Sequence, residues 1–256
     1  MDRTSLRIID LSVPLDNRAK EPFPPEIKYE KHEEGAKQAA EILGLKASDF
    51  PESKAWAVET VTLTTHTGTH VDAPWHYAPK TAGKRSRTID ELPLEWFYGN
   101  GVLFDFSDKE AGYEITVADL EKQLNEMNYV LQPYDIVLVQ TDADKKLFEE
   151  GYAGVHAGVS AEATRWLIEK GIKVMGTDGW GWDIPLMMQA ADYKKNPRDG
   201  VLWAAHFVGK EMEYCQIEKL ANLEQLPKRF GFKVAVFPVK ITGASGGWAR
   251  PVAIFE

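Results

Sequence analysis

Short strand-like runs and amphipathic helical segments are interspersed along the 256-residue chain, and this mixture limits the possible folds more than any other feature. Hydrophobic and charge patterns predict helices over residues 29–45, 116–127 and 160–170. Apolar runs predict strands over residues 6–11, 57–65, 102–106, 135–140, 172–175, 234–241 and 252–255. Because the two kinds of element are mixed without strict alternation, we predict an α/β fold of the mixed α+β kind, rather than a helical bundle or a β-sandwich.

The boundaries of two helices have clear local signals. Thr116 followed by Asp119 has the pattern of a capping box, in which two side chains satisfy free N–H groups at a helix start. Ser160 is a good N-cap for the helix after it, and Gly171 is a typical stop. No linker divides the chain, so we predict one domain spanning residues 1–256.

Composition narrows the classes of protein. The net charge of −9 provides no basic surplus to neutralise phosphates, so we expect no nucleic-acid partner. No apolar run approaches the roughly 20 residues of a membrane span, so we expect no membrane partner. Met1 to Ser5 lack the apolar stretch of a secretory signal, and we expect a cytoplasmic protein. The single cysteine, Cys215, excludes an intrachain disulfide and a Cys-rich zinc site.

The segment 66–76 reads His-Thr-Gly-Thr-His-Val-Asp-Ala-Pro-Trp-His, so three of the six histidines fall within eleven residues. Side chains at even offsets along extended backbone share one face. The segment's candidate ligands and titratable groups are all at even offsets: His66, His70, Asp72 and His76. Gly68 permits a bend that brings His66 and His70 onto one ion, and Pro74 helps to fix the turn before His76.

Two imidazoles and a carboxylate suit Zn²⁺ or Mn²⁺ and leave coordination positions open, which is typical of catalytic metal sites. Such an ion lowers the pKa of a bound water and polarises a carbonyl. His66, His70 and Asp72 are therefore the candidate ligands, and His76 is the candidate acid–base group. A surface turn rich in histidine is the simpler alternative.

The motif of residues 66–76 resembles the signature H-x-G-T-H-x-D-x-P-x-H of the putative cyclase family, which includes bacterial kynurenine formamidase, isatin hydrolase and related lactam and lactone hydrolases. The resemblance continues through residues 9–15, 156–178, 206–223 and 238–246. It implies a swivelling β/β/α domain, a small-molecule substrate, and a homo-oligomer such as a dimer or tetramer.

The resemblance also implies a fuller metal centre. His66, His70 and Asp72 would bind a first ion, and His206 would bind a second. Asp72 and Glu218 would bridge the two, so each subunit would hold one or two Zn²⁺ or Mn²⁺ ions. Glu218 lies in a stretch that reads as helical, where a solvated charge is the alternative role. His156, just before a helix N-cap, is expected to be structural.

The chain departs from the family near its N-terminus, where residues 22–52 read as an insertion and Glu21-Pro22-Phe23-Pro24-Pro25 replaces a Trp-Pro-Gly-like segment. Phe23, Trp75 and Ser245 are candidate substrate contacts. We predict a metal-dependent hydrolase that opens an amide, a lactam or a lactone. An arylformamidase acting on N-formylkynurenine and a non-catalytic metal-binding or small-molecule-binding module are the alternatives.

Overall fold

The computed structural model describes residues 6–255, and the expectation drawn from Met1 to Ser5 lies outside the described residues. The strands in this range are β1 Arg7–Asp10, β2 Glu26–Glu30, β3 Val58–Thr62, β4 His70–Asp72, β5 Lys80–Thr81, β6 Lys84–Arg85, β7 Tyr98–Asp105, β8 Glu114–Ile115, β9 Ile136–Gln140, β10 Gly158–Val159, β11 Val174–Thr177, β12 Cys215–Glu218, β13 Lys233–Ala235, β14 Gly246–Trp248 and β15 Val252–Phe255. The α-helices are α1 His32–Leu43, α2 Pro74–Tyr77, α3 Val117–Met127, α4 Ala161–Glu169 and α5 Leu186–Lys195. Among the described residues, every helix is too short or too polar to cross a bilayer.

A nine-stranded mixed sheet organises the chain, in the order β1-β15-β13-β7-β9-β11-β12-β4-β14. Its central strands β7, β9, β11 and β12 are parallel, whereas β4 and β14 join the edge in antiparallel pairings. The mixture confirms the predicted α/β fold class.

Apolar side chains are buried on both faces of the central strands. In β9, Ile136 and Leu138 belong to one core cluster, while Val137 and Val139 belong to the other. Helices α3 and α4 contribute apolar residues to the second cluster only. This two-faced burial accounts for the near-continuous apolar sequence of β9, which is typical of parallel strands.

The predicted helix signals at α3 and α4 are confirmed. Thr116 is the N-cap of α3, and its hydroxyl accepts from the backbone N–H of Asp119 while the Asp119 carboxylate accepts from the backbone N–H of Thr116. Ser160 caps α4 through the backbone N–H of Ala163. Gly171 follows this helix with φ of 90°, a conformation that favours glycine.

Residues 26–62 form a small hairpin with a helix beside it, separate from the nine-stranded sheet. The predicted strand 57–65 is confirmed as β3, but it pairs with β2 and its side chains are exposed. The predicted helix 29–45 starts later, at α1, because Tyr29 and Glu30 belong to β2. Helix α1 packs tightly at Gly35, where a Cβ atom would lie 1.8 Å from the carbonyl oxygen of Trp56.

Two C-terminal predictions were wrong. The strand predicted over 234–241 ends at Ala235, and Pro238 then lacks the N–H that a ladder needs. Glu218 does not lie in a helix: it ends β12, which is hydrogen-bonded to β11 on one side and β4 on the other. A short apolar run of this kind reads equally as helix or strand, and pairing partners distant in sequence decide between them.

Candidate active site

Local backbone structure shapes the segment 66–76. His66 lies in a turn, and Gly68 continues it with φ of 64°. Of the four side chains grouped by even offsets, only His70 and Asp72 lie on one strand, β4. Pro74 then begins helix α2, which carries His76. Turns and a helix, rather than one extended run, therefore bring the four side chains together.

The register of β4 against β12 places His70 opposite Glu218. His66 Nδ1 lies 2.7 Å from Asp72 Oδ1, and His70 Nε2 lies 3.2 Å from the same oxygen. His70 Nε2 is also 3.7 Å from Glu218 Oε2. His206 Nε2 lies 3.5 Å from Glu218 Oε1 and 4.0 Å from Asp72 Oδ2. The structure thus brings all five candidate ligands into one cluster.

Two atoms of this cluster test whether it fits a metal ion. His70 Nε2 and Asp72 Oδ2 are buried, and neither has a hydrogen-bond partner among the described residues. Buried polar atoms nearly always have a hydrogen-bond partner, so two buried atoms without one require an explanation. Imidazole nitrogens and carboxylate oxygens at these distances are the ligands that Zn²⁺ and Mn²⁺ accept. The residues therefore fit a divalent ion.

Neighbouring groups orient two of the imidazoles. His70 Nδ1 lies 2.8 Å from the carbonyl oxygen of Gly68, which can only accept, so Nδ1 carries the proton and Nε2 is free to bind. His206 Nδ1 donates to the Asp183 carboxylate, which also accepts from the backbone N–H of Ala205 at 2.7 Å. A carboxylate behind a ligating histidine is a common feature of metal sites.

Electrostatics support the same arrangement. Burial would raise the pKa of the Asp72 carboxyl, but the imidazoles of His76, His70 and His66 hold that pKa well below its usual range. Burial would lower the pKa of His206, but Asp183 and Glu218 raise it to about 10. His206 therefore carries a proton at neutral pH until an ion takes its place on Nε2.

His76 lies beside the cluster. Its ring centroid is 4.1 Å from that of His66 and 5.2 Å from that of Trp203. Burial, assisted by the neighbouring His66 and His206, lowers the pKa of His76 to about 4 despite the opposing charge of Asp72. The imidazole is thus neutral near pH 7, as a proton acceptor must be.

A cavity of about 350 Å³ opens onto the cluster, and its lining includes Phe23, His76, Trp180, Ile184, Trp203 and His206. Of the three candidate substrate contacts, Phe23 lines it. Ser245 Oγ lies 2.9 Å from His66 Nε2, so it contacts the cluster. Trp75, 39% exposed, is outside the lining. The space suits a small molecule with a flat apolar part.

Two positions beside the cluster, Asp183 and Trp203, were not among the predicted site residues. The Asp183 carboxylate nevertheless orients His206. The ring of Trp203 stacks on that of His206, with 4.6 Å between the ring centroids. The backbone of Trp203 has φ of 57°, a conformation that bulky residues rarely adopt. His156, expected to be structural, is buried, and its Nε2 donates to the Asp183 carbonyl oxygen while the side chain also borders the cavity. The Trp-Gly-Trp run before Asp183 was the available signal.

The fold and the cluster define a mixed α/β protein with a candidate metal centre at a cavity. A family model described as "Putative cyclase" matches residues 9–184, and the chain belongs to this cyclase family.

Relatives and solved structures agree with this assignment. The kynurenine formamidase of Bacillus cereus is 27% identical over 175 residues, 66% of this chain and 67% of that protein. The kynurenine formamidase of Erythrobacter litoralis is 25% identical over 76% of each chain. The structure of isatin hydrolase A from Ralstonia solanacearum has a TM-score of 0.77 at 24% identity, over 99% of this chain and 94% of that one. Isatin hydrolase A from Labrenzia aggregata, bound to benzyl benzoate, has a TM-score of 0.71 at 26% identity, over 98% and 94%.

Proposed function

We propose that this protein is a divalent-metal hydrolase that opens an amide, lactam or lactone bond in a small molecule with a flat apolar part. The observation that carries the proposal is the pair of buried atoms, His70 Nε2 and Asp72 Oδ2, that have no hydrogen-bond partner in residues 6–255 and lie near a neutral His76 that lines a cavity. Membership of the cyclase family and similarity to formamidases and isatin hydrolases support hydrolysis of a C–N bond next to a carbonyl.

The proposed metal ligands are His66, His70, Asp72, His206 and Glu218. A bound Zn²⁺ or Mn²⁺ would supply Lewis acidity toward a carbonyl oxygen and toward water. Potential ligand atoms of His70, Asp72 and Glu218 lie within 4.8 Å of one another, and so do those of His66, Asp72 and His76. Asp72 belongs to both groups, which supports one or two ions per subunit; in the second group His66 and Asp72 are the proposed ligands and His76 is the acid–base group.

The protein residues then divide the remaining work. His76 accepts a proton from the attacking water and returns it to the leaving nitrogen or oxygen. Phe23, Trp180 and Trp203 form apolar surfaces against which a planar substrate would stack. His66 Nε2 lies 2.9 Å from Ser245 Oγ and Nδ1 lies 2.7 Å from Asp72 Oδ1, so an ion bound by His66 would replace one of these two contacts while the other orients the ring.

Metal analysis together with a substrate panel tests the proposal. We expect the purified protein to bind Zn²⁺ or Mn²⁺ and, once loaded, to hydrolyse at least one member of a panel of aryl formamides, isatin, lactams and lactones. A protein that binds neither ion and gains no activity from either would contradict the proposal.

A formamidase is the second candidate, because the curated relatives above are kynurenine formamidases. The same panel separates the two: a formamidase turns over N-formylkynurenine in preference to isatin and other cyclic amides. The reverse preference assigns the protein to the cyclic-amide hydrolases.

A non-catalytic binding module is the third candidate. The variant His76→Ala separates this candidate from a hydrolase. We expect this variant to lose about 10²- to 10⁴-fold in kcat, because a positioned acid–base group contributes that much. Its metal content should stay at the wild-type level, measured by elemental analysis. A variant with unchanged turnover would show that His76 has no acid–base role.

We further propose a homo-oligomer, a dimer or a tetramer. Apolar side chains are exposed on and beside α1 and the β2–β3 hairpin, among them Tyr29 at 61%, Ile42 at 74% and Leu43 at 60%. Such a surface is typical of subunit contacts. Light scattering coupled to size-exclusion chromatography measures the state directly, and a monomer at micromolar concentration would contradict it. The cytoplasmic location stays a prediction.

A further inference from the structure

A buried ion pair lies directly beside the metal cluster. The Lys219 ammonium donates to the Glu21 carboxylate, and the two side chains are only 3% and 2% exposed. The same ammonium donates to the carbonyl oxygen of His66 at 2.7 Å. The Glu21 carboxylate also accepts from the backbone N–H of Gly68 at 3.2 Å. Glu21 and Lys219 therefore each hold the turn at residues 66–68 through a hydrogen bond to its backbone.

The pair also joins segments that are distant in sequence. Lys219 follows the candidate ligand Glu218, and its backbone has φ of 60°, which turns the chain away from β12. Its N–H donates to the carbonyl oxygen of Gly179 at 3.0 Å. Glu21 lies two residues before Phe23, which lines the cavity and whose carbonyl oxygen accepts from the Thr67 hydroxyl at 3.0 Å.

A contribution to the stability of the fold does not by itself explain why an ion pair is buried here. Removing two charges from water is costly, and a well-packed apolar pair of similar size often serves stability as well. The hydrogen bonds to His66 and Gly68 give the pair a geometric role instead, because both are made to the backbone of the turn that carries a candidate ligand.

We propose that Glu21 and Lys219 are positioning residues, which together hold the His66–Gly68 turn in its metal-binding geometry and hold Phe23 at the cavity. This inference rests on the proposed function, since it concerns the same metal centre. Neither residue is a candidate ligand. Glu21 is also absent from the cavity lining, so any effect of changing it on substrate binding passes through its neighbours.

The test is a double-mutant cycle read on metal affinity. Glu21→Gln, Lys219→Met and the double variant are stripped of metal, and their Zn²⁺ dissociation constants are measured by competition with a chromophoric chelator. We expect each single variant to bind Zn²⁺ about 10- to 100-fold more weakly, as for other groups that orient metal ligands. In the double variant the loss should be smaller than the product of the two single losses, because both substitutions break one unit.

Lys20→Met is the matched control. Lys20 precedes Glu21 and makes an exposed ion pair with Glu150 at 2.8 Å. Its removal should leave Zn²⁺ affinity unchanged, since exposed pairs contribute little and this one does not touch the turn. A second readout is KM: Glu21→Gln should raise KM through Phe23, whereas Lys20→Met should not.

The outcomes separate two failures. If the wild-type protein binds no divalent ion, the proposed function is overturned and the positioning role with it. If the wild type binds Zn²⁺ and both single variants bind it equally well, or if their losses simply multiply, the positioning pair alone is overturned. Should a single variant fail to fold, the double variant, which leaves no unpaired buried charge, decides: wild-type Zn²⁺ affinity in it overturns the role, and weakened affinity supports it.

Discussion

The two halves of the candidate metal centre are built in different ways. The contiguous half is the segment 66–76, in which one turn, one short strand and one helical turn follow each other directly. The assembled half consists of Asp183, His206 and Glu218, which come from separate segments: His206 is hydrogen-bonded to Asp183, and its Nε2 lies 3.5 Å from Glu218 Oε1. The contiguous half depends on local backbone geometry, whereas the assembled half depends on contacts that the fold creates between buried charged groups distant in sequence.

This comparison predicts that a charge change in the assembled half has the largest effect on metal binding. Asp183→Asn keeps the shape of the side chain but removes the charge that orients His206. We expect Zn²⁺ affinity to fall by about 10- to 100-fold, the range found when such a partner of a ligating histidine is changed. Chelator competition on the metal-free protein measures the loss.

Asp135→Asn is the control for Asp183→Asn. Asp135 is also buried, at 1% exposed, and accepts from the Tyr129 hydroxyl and the Gln132 backbone N–H, both at 2.8 Å. Neither partner is a candidate ligand. We expect a loss of thermal stability with unchanged Zn²⁺ affinity. Equal losses of affinity in the two variants would show that general destabilisation, rather than orientation of His206, is responsible.

The contiguous half was predictable because its ligands are close in sequence. Three histidines and Asp72 within eleven residues indicate a site whatever the exact backbone. The backbone itself was only partly predicted: alternation along a strand holds for His70 and Asp72, whereas His66 depends on a turn and His76 on α2. Gly68 and Pro74 were the residues that indicated this departure from a straight strand.

The assembled half was accessible only through a family resemblance. His206 and Glu218 have no local pattern that distinguishes them from a core histidine and a surface carboxylate. Their role depends on the register of β12 against β4 and on hydrogen bonds to Asp183. These contacts span from 23 residues to more than 140 residues of sequence. The α/β fold class was predictable from periodicity, but the order of strands in the sheet, which creates these contacts, was not.

The assembled half also predicts a pH dependence. Asp183 and Glu218 raise the pKa of His206 to about 10 in the metal-free protein, and an ion must displace that proton. Apparent Zn²⁺ affinity should therefore rise with pH between 6 and 8, by about tenfold per pH unit for this one proton. Calorimetry in buffers of different ionisation enthalpy should detect release of about one proton on binding. His206→Gln should reduce the slope, and a wild-type affinity independent of pH would contradict the protonated state of His206.

The contiguous half should be sensitive to backbone strain. Gly68→Ala places a side chain at φ of 64°, and its Cβ would lie 2.6 Å from Leu15 Cδ2. We expect a loss of about 1–2 kcal/mol in the free energy of unfolding, because the left-handed conformation costs that much for a non-glycine residue. Since Leu15 is an exposed, flexible side chain, the turn should adjust, and Zn²⁺ affinity should fall less than in Asp183→Asn.

Gly44→Ala is the matched control for this substitution. Gly44 follows α1 with φ of 67°, and no atom lies within 4 Å of the Cβ that alanine would add. Chemical denaturation should therefore show a similar loss of stability, while Zn²⁺ titration should show no change in affinity. A Gly68→Ala variant with the affinity of Gly44→Ala would mean that the turn does not set the metal site.

The smallest expected effect is on KM, and it distinguishes a residue close to the site in sequence from one close to it in space. Trp75 belongs to the contiguous half and precedes His76, yet it lies outside the cavity lining, whereas Phe23 lies far away in sequence and lines the cavity. We expect Phe23→Ala to raise KM by roughly fivefold, which corresponds to about 1 kcal/mol for a partly exposed apolar contact. Trp75→Ala should change KM by less than about twofold, because surface substitutions rarely exceed 0.5 kcal/mol. Steady-state kinetics on the substrate found in the panel measure both values. The reverse order would place the substrate on the Trp75 side of α2, and the cavity beside Phe23 would then not be the binding site.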